Sequence, residues 1–389
     1  MRKVYTGIDV GTHHVKVVIA APGEGPELPM HILGTGTAIS RGLRHGYITE
    51  TNEAMASIRE ALHRAASQAK VRVRRARVAL SGVGLDEIQS EGVVTLTPSG
   101  GYVSEREIDR ALRESEKRAS SKLANRHIIH TIPIEYHIDG TRVFGKPHGL
   151  QGTKLTVKTL LITMLAHHHD DLIEAVEGAG VEVEGTMAGP LAASLVTLSK
   201  AQKAAGVVLA NIGAETLSLI VFDEDTPISI KVFPTGSADI TNTIALSLKI
   251  PLTEAEQFKR GAIIGSEVSP KKMHMVAAVR FKEMLMQINA HLKSIGRARL
   301  LPAGIVFTGG GSGLASIPDV ARAVLKIPAQ ISQIGHLPRS SSIDATWSTA
   351  YGLTRWAYAE EIVESGRSVS EIFEGTLDSI KQALRALLP

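Results

Sequence analysis

The chain has 389 residues, of which 43% are hydrophobic and 21% are charged, so wholesale disorder and collagen-like repeats are excluded. The 43 Lys and Arg against 39 Asp and Glu leave a net charge of +4, an excess too small to indicate a nucleic-acid binder. The absence of Cys excludes disulfides, thiolate metal sites and Cys nucleophiles. Polar residues from Asp9 to Lys16 interrupt the N-terminal apolar run, so we expect a soluble protein without a secretory signal or membrane span.

The first predicted elements form a β-hairpin followed by a helix. Residues 4–10 and 15–20 are mostly apolar on either side of the turn Gly11-Thr12-His13-His14, a pattern typical of two paired strands. Residues 52–69 then carry Ala, Ile and Leu at helical spacing and predict a helix.

Residues 77–163 differ in character from the sequence before them. A helix is expected over 104–120, with Ser104 as N-cap and Glu107 at the N3 position of a capping box. Short strands are expected around it, at 77–81, 90–96, 126–139 and 153–163. The segment therefore predicts a small α+β unit set into a larger α/β fold.

The opening hairpin pattern returns in the second half of the chain. Residues 206–222 again predict strand, turn and strand, and Asn211 takes the place that Asp9 has in the first hairpin. Such a long-period repeat predicts two similar lobes that face each other. A strand at 304–308 precedes the glycine-rich loop 309–313, and the remaining helices are expected at 169–179, 189–203, 237–249, 253–261, 270–296 and 346–362.

These elements indicate a phosphate site of an unusual kind. Gly34 and Gly36 are not followed by the third Gly of a dinucleotide-binding motif. The segment 140–147 is similar to a P-loop, but Pro147 stands where that motif requires another residue. A hairpin turn of Gly and hydroxyl residues instead exposes backbone N–H groups that hold phosphate oxygens. An Asp at the end of the first strand orients Mg²⁺ through the water that this ion keeps. Two facing hairpins then clamp a triphosphate, while the glycine-rich loop approaches a nucleoside.

Three segments in this order carry a resemblance to a known family: GIDVGTHHVKVVIA at 7–20, VLANIGAETLSLIVF at 208–222 and GIVFTGGGSGLASIP at 304–318. The chain resembles the actin-like ATPase superfamily and, within it, the FtsA family of bacterial cell-division proteins. Further similar segments are RHIIHTIPIEYHIDG at 126–140, the stretch 233–259 and ATWSTAYGL at 345–353. The resemblance spans about residues 1–360.

The resemblance implies an α/β, actin-like fold of two lobes with an inserted SHS2-like α+β subdomain. The divisions that it implies are a first lobe at 1–76 and 164–203, the insert at 77–163, a second lobe at 204–250 and 300–362, a subdomain of that lobe at 251–299, and a linker with a C-terminal helix at 363–389.

The resemblance also implies ATP and Mg²⁺ in the cleft between the lobes, with Asp9 holding Mg²⁺ through water. The nucleotide-binding residues that it implies come from both hairpins, from the stretch that closes over nucleotide and from the glycine-rich loop: Asp9, Gly11, Thr12, His13, Lys16, Asn211, Gly213, Ala214, Glu215, Thr216, Gly236, Ser237, Glu256, Lys259, Gly310, Gly311 and Ser312.

The chain departs from the family pattern at two expected carboxylates. The family has an acidic residue at the position of Asn211, and Ala214 adds a methyl where the backbone approaches phosphate. The family usually has Glu before the Pro of TMAGPLAAS, where this chain has Gly189. Because positioning a water contributes roughly 10²–10⁴ in rate, we expect ATP binding with weak or no hydrolysis.

The C-terminal residues 370–388 predict an amphipathic helix. By resemblance it attaches the protein to the cytoplasmic face of the cell membrane at the division site, although packing on the protein's own body is the alternative. The membrane-facing side chains fall on one helical face: Ile372, Phe373, Leu377, Ile380, Leu384, Leu387 and Leu388.

By resemblance the partners are the FtsZ C-terminal tail, other division proteins and further copies of this chain in a filament, with no nucleic acid. The FtsZ site is expected within 251–299, with Lys259, Arg260, Lys271 and Lys272 meeting acidic residues of the tail. Two alternatives share the fold. The terminal helix disfavours a PilM-like scaffold of type IV pilus assembly, and the missing carboxylates disfavour a small-molecule kinase.

Two further patterns are interpreted as ordinary surface. The basic residues from Lys70 to Arg77 alternate with Val and lack aromatic neighbours, which favours a solvated edge or a polymer contact. The run His167-His168-His169-Asp170-Asp171 does not predict a metal site, because adjacent helix positions point to different faces.

Overall fold

A computed structural model describes residues 3–23, 30–97, 100–260, 270–313, 317–334 and 343–364. Within these residues the strands, numbered in chain order, are β1 (Tyr5–Val10), β2 (His14–Ala21), β3 (His31–Ile39), β4 (Leu43–Arg44), β5 (Tyr47–Ile48), β6 (Arg75–Leu80), β7 (Leu85–Thr95), β8 (Gly101–Tyr102), β9 (Arg126–Ile138), β10 (Thr141–Val143), β11 (Gln151–Gly152), β12 (Lys154–Leu165), β13 (Glu182–Ala188), β14 (Val207–Ile212), β15 (Leu217–Asp223), β16 (Thr226–Phe233), β17 (Ile305–Thr308) and β18 (Ala329–Ile331).

The helices of the described residues are α1 (Thr51–Ala69), α2 (Glu105–Arg118), α3 (Ala166–Gly178), α4 (Gly189–Thr197), α5 (Lys200–Ala205), α6 (Ser237–Leu248), α7 (Leu252–Lys259), α8 (Pro270–Ser294), α9 (Ile317–Leu325) and α10 (Ser348–Glu364). No helix in the described ranges is long and apolar enough to cross a membrane. The predicted amphipathic helix at 370–388 lies outside the described residues and stays a prediction.

Two five-stranded sheets share one topology. The first has the order β3-β2-β1-β6-β13 and the second the order β16-β15-β14-β17-β18. In each, the first three strands are antiparallel and the last two run parallel to the third. The predicted repeat of hairpins is therefore confirmed and extends to whole sheets, as an actin-like α/β fold requires.

Helix α1 lies directly on the first sheet because two residues of β3 have no side chain. A Cβ on Gly36 would lie 1.9 Å from the carbonyl oxygen of Ala61, and one on Gly34 would lie 2.3 Å from that of Ala65. Gly34 and Gly36 therefore allow the backbone of α1 to pack against β3. Helices α1 and α3 cover this face of the sheet, and α10 packs on the other.

The inserted unit is a four-stranded antiparallel sheet, in the order β10-β9-β12-β7, with α2 packed on it. The predicted capping box at the start of α2 is confirmed: the Arg106 N–H donates to Ser104 Oγ at 3.2 Å, and the Ser104 N–H donates to Glu107 at 3.1 Å. Such a cap contributes about 1 kcal/mol.

The sequence-based assignment of one helix at 189–203 is wrong. Helix α4 ends at Thr197, and α5 begins after Ser199, which makes a capping box of its own with Gln202. The strands β3, β13 and β16 were missing from the predicted elements, as were the short strands β4, β5, β8, β10, β11 and β18.

The basic run before and within β6 is not a uniformly solvated edge. The Arg77 side chain is only 18% exposed, pairs with Glu360 at 2.8 Å and stacks on the ring of Trp356. Arg75 pairs with Glu182 at 3.1 Å, with both side chains exposed. The prediction of a solvated edge is therefore wrong for Arg77 and fits Arg75.

Candidate functional site

The first hairpin places an acid and a base side by side. Asp9 is the fifth residue of β1 and lies directly opposite Lys16 of β2, so both side chains emerge on the same face. The turn between them is closed by a 3.2 Å hydrogen bond from the Gly11 N–H to the carbonyl of His14. Ser40, just after β3, holds this turn through its N–H to His13 and its hydroxyl to Gly11.

Asp9 and Lys16 each alter the ionisation of the other. Burial raises the pKa of Asp9 while Lys16 opposes this, and burial lowers the pKa of Lys16 while Asp9 and Asp344 oppose it. The Lys16 ammonium also donates to the carbonyl of Thr346 at 2.5 Å. Within the described part of the chain, no hydrogen bond to the Asp9 carboxylate is found, so its oxygens can accept from bound water.

Two histidines form the tip of the first hairpin. Their Nδ1 atoms lie 2.8 Å apart, so one imidazole of His13 and His14 donates to the other. Burial, helped by the positive charges of His13, Lys16 and Arg260, lowers the pKa of His14 to about 4. Arg260 directly follows α7, so a cation from the second half of the chain contributes to this lowering.

The second hairpin repeats the geometry of the first. Asn211 is the fifth residue of β14 and lies opposite Ser218 of β15. The Gly213 N–H donates to the carbonyl of Thr216 at 2.8 Å, which closes the turn in the same way. The Asn211 amide lies against Gly309, where a Cβ would stand 2.2 Å from its Oδ1.

Helix α6 seals the back of this turn. Its first two N–H groups, from Ser237 and Ala238, donate to the carbonyls of Gly213 at 2.9 Å and Ala214 at 2.8 Å. Gly236 is required for this approach, because a Cβ there would lie 2.3 Å from the carbonyl oxygen of Ala214. The start of α6 and the second hairpin therefore form one rigid wall.

A charged cluster stands behind this wall. The Lys259 ammonium donates to Ser237 O at 3.1 Å and to Thr241 Oγ1 at 2.9 Å, and it lies 2.6 Å from Glu256. Burial raises the pKa of Glu256, but hydrogen bonds from Lys259, Thr241 and Arg260 outweigh it and bring the pKa to about 2. Glu256 is thus ionised throughout the physiological range.

The glycine-rich loop closes the same corner. After β17 the chain forms a short 3-10 turn at Gly310–Gly313, and the Ser312 hydroxyl donates to the carbonyl of Gly309 at 2.7 Å. A Cβ on Gly311 would lie 2.3 Å from Ile212 and 2.9 Å from Ser237, whereas one on Gly310 would meet open space. The loop thus presents bare backbone beside α6 and the second hairpin.

Two contacts join the halves of the site, and neither was expected from the sequence. The segment before α10 bridges Lys16 and the second sheet, because Thr308 donates its hydroxyl to the carbonyl of Ala345 at 2.9 Å. His45, between β4 and β5, hydrogen-bonds Glu215 of the second turn. Sequence patterns could have indicated the polar ends of these strands but not their partners.

The position where the family usually has Glu carries no side chain. Gly189 is the first residue of α4, is buried, and is followed by Pro190. A Cβ there would lie 2.2 Å from the hydroxyl oxygen of Ser81, which follows β6. Together with Asn211, this leaves two positions around the site without the carboxylates that the resemblance implies.

Solved structures show which fold this is. The structure is similar to the PilM-PilN type IV pilus biogenesis complex, at 19% identity and a TM-score of 0.63, covering 100% of both chains. It is also similar to MreB 5 of Spiroplasma citri bound to AMPPNP, at 12% identity and a TM-score of 0.53, covering 94% of this chain and 99% of that one. At these identities the likeness shows the fold alone, and that fold is actin-like.

Sequence comparisons show the family. The family model described as Cell division protein FtsA matches residues 208–352, and that of the SHS2 domain inserted in FTSA matches residues 82–163. The Cell division protein FtsA of Borreliella burgdorferi is 27% identical, over 95% of this chain and 94% of that protein. The one from Bacillus subtilis is 27% identical, over 91% of this chain and 83% of that protein. The chain belongs to the FtsA family of cell division proteins.

Proposed function

We propose that this protein binds ATP and Mg²⁺ between its two sheets, hydrolyses ATP weakly or not at all, and acts in cell division as an adaptor that links FtsZ to the membrane. The observation that carries the nucleotide part is the pair of matched hairpins. One presents Asp9 and Lys16, and the other is backed by the buried ammonium of Lys259. Membership of the FtsA family supports the division part.

In this proposal the first hairpin holds the phosphates. Backbone N–H groups of the turn at Thr12 and His13, together with the Lys16 ammonium, face the negative charge. Asp9 accepts hydrogen bonds from water bound to Mg²⁺. Its carboxylate fits this role because none of the described residues donates a hydrogen bond to its oxygens. When bound, the ion neutralises phosphate charge. Asp9 must be ionised to accept these hydrogen bonds; burial raises its pKa, and the Lys16 ammonium opposes that rise.

In this proposal the wall formed by the second hairpin and the start of α6, with the charged cluster beside it, holds the nucleoside. Glu256 offers ionised carboxylate oxygens to ribose hydroxyls, and Lys259 keeps that carboxylate in place from behind. The open space beside Gly310 and the bare backbone of Gly311 suit a flat base. Neutral Asn211 and the absent side chain at Gly189 leave the attacking water without the expected carboxylates, which accounts for slow hydrolysis.

The nucleotide proposal is tested with a fluorescent ATP analogue and purified full-length protein. We expect saturable, Mg²⁺-dependent binding that Asp9→Asn weakens by at least about tenfold. The control is Asp319→Asn, an exposed acid on α9 that pairs with its helix neighbour Arg322. No binding, or equal binding by Asp9→Asn, contradicts the proposed site. A turnover similar to that of ordinary actin-like ATPases contradicts the hydrolysis part alone.

The FtsZ part of the proposal concerns the outer face of α8. Met275, Val279 and Met286 lie on one stripe of this helix and are 63%, 58% and 57% exposed. Arg260 and Lys271 are exposed nearby in the chain and suit acidic tail residues. Lys259, expected to join them, is not available, because its side chain is 8% exposed and engaged with Glu256.

This surface is tested by fluorescence anisotropy of a labelled FtsZ C-terminal peptide from the same organism. We expect saturable binding that Met275→Asp and Val279→Asp together abolish. Leu300→Asp, at another exposed apolar residue, serves as the control and keeps wild-type affinity. Absence of binding by the wild-type protein contradicts the FtsZ part and favours a scaffold of the pilus-assembly kind.

The membrane part rests on the sequence of residues 370–388. Leu384→Asp and Leu387→Asp remove two apolar side chains from the predicted face and are expected to release the protein from vesicles containing phosphatidylglycerol. Leu246→Asp, at an 80% exposed residue of α6, is the matched control. Continued sedimentation of the double variant with vesicles shows that the terminal helix is not the anchor.

A further inference from the structure

Two histidines and an aspartate meet where the inserted sheet joins the first lobe. His127 is near the start of β9, and His169 and Asp170 are in the first turns of α3. His127 Nε2 lies 3.4 Å from Asp170 Oδ1, and His169 Nδ1 lies 2.9 Å from the same oxygen. One nitrogen or oxygen of each residue lies within 4.8 Å of the other two.

The backbone holds these three residues together. Strand β12 pairs with β9 in the register Met164 to His127, and it runs straight into α3. The Ala166 N–H at the start of α3 donates to the carbonyl of Asn125 at 2.9 Å, just before β9. The cluster is therefore fixed by strand pairing and helix position, and its arrangement does not depend on long side chains folding onto each other.

We propose that His127, His169 and Asp170 bind a divalent transition-metal ion of the zinc type. Zinc is held by imidazole nitrogens and carboxylate oxygens at about 2.0–2.2 Å, so tetrahedral ligands stand about 3.3 Å apart. Two of the contacts already lie close to that separation, and the two imidazoles need to close by at most about 1.5 Å. Three protein ligands leave the fourth position to water.

The charges around the cluster favour a cation. Asp170 supplies a carboxylate to the cluster itself, while the next residue, Asp171, pairs with His167 at 3.2 Å. The nearest fixed cation along the chain, the Arg126 guanidinium, is turned away and donates to Thr163 Oγ1 and to the carbonyl of Gly84. A bound dication therefore meets the Asp170 carboxylate and avoids direct repulsion by Arg126.

The site differs from the histidine run that the sequence presents. His168 stacks on Tyr47, with ring centroids 3.5 Å apart, and His167 pairs with Asp171 on another side of α3. The interpretation of the run as surface residues thus fits the exposed His167 and is wrong for His168, which is half-buried against Tyr47. His127, which completes the ligand set with His169 and Asp170, comes from strand β9 and is distant in sequence. A bound ion therefore links the inserted sheet to α3.

The proposal is tested by calorimetric titration of ZnCl₂ into the full-length protein without a histidine tag. We expect one high-affinity ion per chain, and at least about tenfold weaker binding in each of His127→Ala, His169→Ala and Asp170→Asn. His148→Ala, at an exposed histidine of the insert, is the matched control and binds as the wild type does. Co²⁺ in the same site gives the visible absorption of a tetrahedral complex.

A second measurement separates loss of the site from loss of the fold. The three side chains are partly or largely exposed, at 48%, 23% and 65% for His127, His169 and Asp170, so the variants are expected to unfold at the wild-type temperature without metal. Zn²⁺ raises the unfolding temperature of the wild type and not of His127→Ala. Absence of stoichiometric binding, or binding that all three substitutions leave unchanged, overturns the proposal.

Discussion

The backbone N–H of His45 donates a 2.6 Å hydrogen bond to the Glu215 carboxylate, and His45 Nδ1 lies 3.2 Å from the Glu215 carbonyl oxygen. His45 belongs to the first lobe and Glu215 to the turn of the second hairpin, so this latch crosses the candidate nucleotide cleft. His45 is held in a left-handed conformation, with φ of +50°, and Gly46 beside it packs directly on Gly82. The first-lobe side of the latch is therefore rigid.

Removal of the latch is expected to speed nucleotide release. Glu215→Ala leaves the His45 N–H without its acceptor, so the two lobes separate more readily and the free energy of unfolding falls by about 1 kcal/mol. Stopped-flow dissociation of a fluorescent ATP analogue measures the release rate. Glu224→Ala, which removes an exposed acid paired with Arg142, is expected to change neither quantity. Equal release rates in Glu215→Ala and wild type contradict a closing role.

Restoring the two absent carboxylates is expected to raise ATP hydrolysis. Asn211→Asp and Gly189→Glu supply the acidic groups, and Ser81→Ala removes the hydroxyl that would stand 2.2 Å from the new Cβ. The triple variant should release phosphate about 10²-fold faster or more, since positioning a water contributes about that much. Ser81→Ala alone is the control. Unchanged turnover in a triple variant that still binds ATP shows that other groups limit hydrolysis.

Neighbouring arginines of β6 are expected to differ in their contribution to stability. Glu360→Ala leaves the Arg77 guanidinium, 18% exposed, without its 2.8 Å partner and should cost about 3 kcal/mol in free energy of unfolding. Glu182→Ala removes the exposed partner of Arg75 and should cost less than about 1 kcal/mol. Urea unfolding of both variants measures the difference, and similar losses would refute the distinction between the two pairs.

His130 is expected to make the fold sensitive to acid. It is buried in β9, its Nε2 accepts from the Ala188 N–H at 3.0 Å, and burial lowers its pKa from 6.5 to about 3. Below pH 6.5 the unfolded chain binds a proton that the folded chain does not. The free energy of unfolding therefore falls with falling pH, by up to about 1.4 kcal/mol per unit, until about pH 3.

The contribution of His130 is isolated by substitution. His130→Gln keeps an acceptor for Ala188 but does not titrate, so its unfolding free energy should fall less steeply between pH 6.5 and 4 than that of the wild type. Carboxylates titrate in both proteins, and the comparison removes their effect. Parallel pH profiles would assign the acid sensitivity to other groups.

Much of the fold could be predicted because local patterns agree with the final packing. The hairpin around Gly11 and the capping box at Ser104 depend on residues close together in sequence, and both were predicted correctly. Strand β3 could not be predicted in this way. Its glycines at 34 and 36 weaken a strand pattern, and the reason for them is the backbone of α1, which no local window contains.

The candidate site shows the same division between local and distant information. The equivalence of Asp9 and Asn211 follows from a repeated pattern, and both occupy the same position in their strands. Glu256 and Lys259 are three residues apart, a spacing typical of an ordinary ion pair on a helix surface. In the structure the Lys259 side chain points inward and donates to the carbonyl of Ser237. Its burial depends on how α7 packs against α6, and that packing could not be derived from the helix alone.

The junction between the insert and the first lobe has a mechanical consequence. Strand β12 ends at Leu165 and α3 begins at Ala166, so no flexible connection separates them. Leu172 and Val176 of α3 are buried against the first lobe, and α3 packs on α1. Because no loop separates β12 from α3, a displacement of the insert is expected to move α3 with it, and so to act on the lobe that holds Asp9.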